Sequence, residues 1–154
     1  MNAPDKAIEI KATVTGVFAF VTALIGWVGW GVMLFAACLF VDYLSGSLAA
    51  KKNGVWTSSK AREGLWHKLG EIFGMIVAAF ADTTVTVVFY IAGDAIPFDR
   101  CIVFLPLALA WYIFTELGSI CENAKLLGAP IPDFLVKGVN KAKETVDAAA
   151  KEQN

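Results

Sequence analysis

The chain has 154 residues, of which 57% are hydrophobic and only 18% charged, with a formal net charge of -1 and a mean hydropathy of +0.61. An ordinary soluble domain is about a quarter charged and near half apolar, so a soluble core of this length could not hide so much apolar surface. A soluble enzyme is excluded as a class. The ionisable groups crowd into short segments between apolar runs, and their placement carries more information than their sum.

The first apolar region runs over residues 12–41. As one helix it would be about 45 Å long against a hydrocarbon core of about 30 Å. A single straight span would have to tilt beyond the usual range of roughly 0 to 40°. Gly26-Trp27-Val28-Gly29-Trp30-Gly31 supplies a turn, its glycines loosening the helix and its tryptophans suiting a membrane-water interface. The expected elements are a helix over residues 7–25, a reversal, and a second helix over residues 30–50. Glu9 and Lys11 leave the first with only a short apolar stretch, so four spans and three spans plus a surface helix both satisfy the pattern. Phe35-Ala36-Ala37-Cys38 faintly resembles a lipoprotein cleavage box, but the apolar stretch is too long for a signal h-region, and the segment is read as retained.

Lys51, Lys52, Lys60, Arg62 and Lys68 form the strongest basic cluster, read as a loop with Ser58 or Ser59 as N-cap of the next helix. By the positive-inside rule this basic loop is cytoplasmic. A third helix over residues 64–93 and a fourth over residues 99–127 follow, joined by an acidic link containing Pro97, with Pro106 expected to bend the last helix near its top. Gly128 and Pro130-Ile131-Pro132 end the transmembrane domain, residues 1–128. Residues 129–154 are expected as a charged tail on the cytoplasmic side. Leu135, Val139, Ala142, Val146 and Ala149 form a weak amphipathic stripe in it, which is expected to lie solvated rather than to bundle. The fold class is an all-α integral membrane protein of three to four transmembrane helices in hairpin arrangement with a short cytosolic C-terminal helix.

Ionisable groups inside a transmembrane helix cost at least about 2.5 to 3.5 kcal/mol each, so each needs a reason. Asp42 falls in the second helix, Glu71 and Asp82 in the third, and Glu116 and Glu122 in the fourth with Asn123. Glu116, Ser119 and Asn123 recur at offsets of three and seven, largely one helical face. Glu71, Glu122 and Asp42 lie close enough to basic loops to snorkel or to hold helices together. Asp82, mid-run and one turn from Thr86, and Glu116 are expected to line an interface between helices or subunits that can become wet. Ser45 and Gly46, with Ser47, Ala49 and Ala50, suit close helix approach.

Other constellations are negative. His67 is the single histidine and no cysteine pair stands at metal spacing, so no metal or cofactor is expected. No phosphate loop or nucleophile motif occurs, and no catalytic residue is expected. Cys38, Cys101 and Cys121 all sit in apolar runs and read as small hydrophobes.

Val41-Asp42-Tyr43-Leu44-Ser45-Gly46-Ser47-Leu48-Ala49-Ala50, the later run from Glu116 through Ser119-Ile120-Cys121-Glu122-Asn123, and the exit Leu127-Gly128-Ala129-Pro130-Ile131-Pro132 together resemble the phage holin family that includes the toxin-secretion holins. The resemblance covers residues 12–136. It implies a protein of the host bacterial inner membrane that forms homo-oligomers in the bilayer and opens holes for an endolysin, or in some relatives a toxin, with an antiholin as a further partner and no nucleic acid. Asp42, Asp82 and Glu116 would then set the timing. The alternative is a small ion channel or proton-coupled transporter using the same carboxylates; a third reading is an anchor subunit whose tail recruits a cytosolic partner.

Overall fold

The computed structural model describes residues 28–92 and 102–151, together with Lys11, Thr13, Thr15, Gly16 and Gly26. Four helices account for most of these residues: α1, Val28–Lys52; α2, Ser58–Ile91; α3, Phe104–Leu126; and α4, Asp133–Lys151. No strand occurs among the described residues. The first three helices are each long and apolar enough to cross a membrane, and the protein is an all-α integral membrane protein. The expected helix over residues 7–25 and the link over residues 94–100 lie largely or wholly outside the described residues.

Gly26 has φ of 63°, and its carbonyl accepts from the Gly29 amide at 3.1 Å. This left-handed geometry is cheap only for glycine, and it starts α1 two residues before the expected position. At the other end of α1, Gly54 (φ 68°) turns the chain towards α2. The α2 helix begins at Ser58, earlier than expected, because Thr57 has extended backbone (φ -137°, ψ 151°) and its hydroxyl accepts from the Lys60 amide at 3.2 Å. Thr57, rather than Ser58 or Ser59, is therefore the N-cap.

The 34 residues of α2 make a rod of about 51 Å, well beyond a hydrocarbon core of about 30 Å. Its first turns, with Lys60, Arg62 and Glu63 exposed, can project past the bilayer while the apolar remainder spans it. Pro106 is the third residue of α3. There its missing N–H interrupts no internal hydrogen bond, so it helps start the helix and does not supply the bend expected of it.

The α1 helix packs most extensively on α3, and α3 in turn packs on α4 and α2; α1 and α2 meet little. The shared core is small: Val28 and Phe35 from α1, Met75 from α2, and Leu105 and Leu109 from α3. Gly31 lets Leu109 approach α1 closely, and Gly74 lets the Tyr112 hydroxyl sit against α2 where a Cβ would collide with it. Outside this core, Phe40, Phe73, Val77, Phe80 and Val88 are all more than half exposed. In water such a surface would drive aggregation; in lipid it is the outer face of the bundle.

The α4 helix departs from the expectation of a solvated tail. After Gly128 (φ 91°) the chain turns back, and the Trp111 indole N–H of α3 donates to Asp147 Oδ1 at 2.6 Å. Lys143 Nζ lies 4.9 Å from the centre of the same ring. The apolar stripe of α4 was too modest in side-chain volume to predict this docking; the polar anchors on Trp111 add to it.

Candidate functional site

Towards the end of the bundle that carries the basic connection, three helices meet at charged side chains. Asp42, Ser45 and Gly46 share one face of α1, because offsets of three and four fall on one side of a helix. Lys68 and Glu71, three apart, share a face of α2, and Glu116 and Asn123, seven apart, share a face of α3. Lys68 Nζ lies 2.8 Å from Asp42 Oδ2, donates to Glu116 Oε2, and is 3.9 Å from Glu71 Oε1. One ammonium group thus joins α1, α2 and α3. Glu116 is 1% exposed and Glu71 5%.

Polar side chains complete the cluster. Asn123 Nδ2 donates to Asp42 Oδ1 at 2.9 Å and to Ser45 Oγ at 3.2 Å, and Ser45 Oγ donates to the Asp42 carbonyl at 3.1 Å. Gly46 faces Asn123, and a Cβ there would stand 3.3 Å from its amide nitrogen. The small residues read as suited to close approach here make room for a hydrogen-bonded amide. His67 Nδ1, on the exposed side, is 2.9 Å from Glu71 Oε1, yet neither oxygen of Glu71 accepts an aligned hydrogen bond. Three carboxyl groups therefore face one lysine and one solvent-side imidazole. An open crevice lined by Asp42, Gly46, Trp56, Lys60, Gly64 and Lys68 reaches it from the surface.

Lys68, one of the basic cluster by sequence and within the expected third helix, is the eleventh residue of α2 and turns inward, its side chain 13% exposed. Lys60 and Arg62 are also on α2 rather than in a loop, though exposed, and Lys51 and Lys52 end α1. The available signal was spacing: Lys68 and Glu71 stand one turn apart, and a cation beside buried acids is the partner such acids require. Lys52 has its own task. Its Nζ donates to the Leu127 carbonyl at 2.6 Å and to that of Leu126 at 3.4 Å, supplying a cation at the C-terminus of α3 where carbonyls lack internal partners.

Asp82 belongs to a separate arrangement. Its Oδ1 accepts from the amides of Val103 and Phe104 at 2.9 and 2.8 Å, and Oδ2 from that of Leu105 at 2.8 Å. A carboxylate on α2 thus caps α3, whose own N-cap residue Val103 makes no side-chain bond. The clue in the sequence was that absence: residues 101–105 open a helix without Ser, Thr, Asp or Asn, so the free amides need a cap from elsewhere. Thr86 donates to the Asp82 carbonyl at 2.9 Å and Ser119 to that of Thr115 at 3.3 Å, both inside their own helices. Glu122 is exposed and apart from the cluster. Among the described residues no group of acidic, histidine and cysteine side chains has the arrangement of a metal site.

These features define a small multi-pass membrane protein whose intramembrane charges are paired between helices. The sequence pattern of the bacteriophage holin family matches residues 19–144, and the chain belongs to that family. An uncharacterized protein of Halalkalibacterium halodurans is 31% identical over 116 residues, covering 74% of this chain and 80% of the relative. No solved structure matches the chain significantly.

Proposed function

We propose that this protein is a holin that accumulates in the bacterial cytoplasmic membrane, assembles with copies of itself, and at a set time opens holes that release an endolysin or a toxin. Membership of the holin family supports the lytic role. The observation that carries the mechanism is the Asp42–Lys68–Glu116 cluster, which ties three spanning helices through one cation.

Such a cluster is strong only while all its members are present and dry. Pairing in a medium of low dielectric offsets the cost of burying each charge, and loss of one partner leaves the others uncompensated. Charged groups held inside a spanning bundle are also sensitive to the membrane field, since a charge crossing the bilayer is worth about 2.3 kcal/mol per 100 mV. Collapse of the potential changes the balance between a closed raft, in which the cluster is sealed, and an opened one, in which water enters from the crevice beside Asp42. Asp42 and Glu116 act as timing residues through this cluster, and Asp82 through the seat of α3. The basic connection and the start of α4 face the cytoplasm. The protein catalyses no reaction; endolysin passes through without a dedicated binding site, and an antiholin acts by joining the raft.

The test is induced expression in a bacterium holding a signal-less endolysin in its cytoplasm, with culture density and membrane potential followed together. Abrupt, timed lysis with simultaneous depolarisation is the expected result. Continued growth with intact potential would overturn the reading.

A further inference from the structure

The three spanning helices turn little free polarity outward. Lys68 bonds Asp42 and Glu116, Asp82 caps α3, and the exposed hydroxyls of Thr83 and Thr84 each donate to a carbonyl one turn back at 2.8 Å. Apart from Glu122 and the Asp42 crevice, a further wet surface for an opened assembly has to be found beyond these helices, and α4 offers one.

Trp111 stands about 22 Å along α3 from Leu126, and Asp147 about 21 Å along α4 from Asp133. The hydrogen bond between them therefore sets α4 antiparallel and nearly in step with α3, reaching back alongside the spanning bundle. Val136, Val139, Ala142 and Val146 are partly buried on the inner side, whereas Lys137, Asn140, Lys141 and Glu144 are exposed. Those four recur at offsets of three, four and seven, so they form one stripe. Lys141 Nζ and Glu144 Oε2 are 3.9 Å apart along it, with side chains 80% and 72% exposed. A stripe of this kind at the depth of a spanning helix cannot face lipid chains.

We propose that in the assembled protein α4 is a fourth helix at membrane depth, holding its valine face on α3 and bringing Lys137, Asn140, Lys141 and Glu144 into direct, hydrated contact with the same stripe of neighbouring copies. The stripe carries both signs of charge, so copies can pair Lys141 with Glu144 between chains, as they pair within one. Gly128 and the two prolines before Asp133 provide the reversal that brings α4 back. The proposal shares with the holin reading only the assembly of copies in a membrane.

The experiment uses the full chain expressed in bacterial membranes. In a Cys101→Ser background, whose remaining Cys38 and Cys121 are buried, single variants Asn140→Cys, Lys141→Cys and Glu144→Cys are oxidised and compared with Val139→Cys and with the background chain itself. Disulfide-linked dimers at least fivefold above both references are expected on the stripe. In a second arm, Ala108→Cys with Val146→Cys, two positions lining one crevice, staples α4 to α3, and stapled protein is expected to lyse cells as the reduced form does. Stripe dimers no more abundant than those of Val139→Cys, or lysis that the staple abolishes and reduction restores, would overturn the proposal. If the unmodified chain lyses no cells, the holin reading fails while the dimer pattern still decides whether the stripe meets its copies.

Discussion

Lys68 Nζ stands 2.8 Å from Asp42 Oδ2, across the boundary between two helices that otherwise touch little. The ion pair, with Glu116 as its third member, is thus a principal tie between α1 and α2 near the end joined by the basic connection, and removal of Lys68 should have a larger effect than its partial exposure implies. Breaking a buried pair by deleting one partner costs about 3–5 kcal/mol. Lys68→Met is expected to lower the midpoint of denaturation in detergent micelles, followed by helical circular dichroism. Adding Asp42→Asn, Glu71→Gln and Glu116→Gln should recover most of the loss, because neutral groups leave no orphan charge. An unchanged midpoint in Lys68→Met would show that the tie contributes nothing.

Asp82 accepts three amide hydrogen bonds at the start of α3. Hydrogen bonds to a charged group contribute about 1.5–3 kcal/mol, and the carboxylate also complements the positive end of the helix. Asp82→Ala should destabilise by at least that amount and speed hydrogen exchange at Val103, Phe104 and Leu105 tenfold or more. Asp82→Asn, which keeps an acceptor but loses the charge, should fall between. Exchange at these three amides that does not respond to Asp82→Ala would count against the cap.

Gly74 and Tyr112 form a steric pair. A methyl group at position 74 would strike the Tyr112 hydroxyl, and overpacking of this kind costs about 1–3 kcal/mol. Gly74→Ala alone should lower stability, Tyr112→Leu should also lower it, and the double variant should be more stable than the sum of the two losses predicts. A double-mutant cycle measured by denaturant titration reads this directly; additive losses would show that the two residues are not in contact.

The timing role assigned to the charged cluster predicts a change in lysis onset. Glu116→Gln weakens the grip of Lys68 on α3 and should bring lysis forward, with Asp42→Asn acting in the same direction. Culture density after induction, normalised to the amount of protein in the membrane, is the measurement. Onset unchanged in both variants at equal protein level would remove these residues from the timing mechanism.

Much of the architecture was legible because it depends on local rules. In lipid every backbone group must bond within its own segment, so apolar runs of spanning length read directly as α1, α2 and α3, with Gly26 marking the start of the first and Gly128 the end of the last. The polar residues were legible as anomalies but not as partners. Asp82 stands out in the sequence as a mid-span acid expected at an interface that can become wet, whereas the three amides that it caps lie more than twenty residues along the chain. Lys68, surrounded by other basic residues, looked like one more member of a surface cluster.

What the sequence by itself determined is the membrane class and the three apolar runs that form α1, α2 and α3, since hydropathy, helix period and backbone satisfaction act over one or two turns. What only the tertiary structure decided is which charges meet and where the tail goes. Asn123 reaches Asp42 over 81 positions and Lys68 reaches Glu116 over 48, and α4 leaves solvent because Asp147 finds the indole of Trp111. Such pairings depend on the rotation and depth of one helix against another, which packing of whole faces sets and no local period encodes.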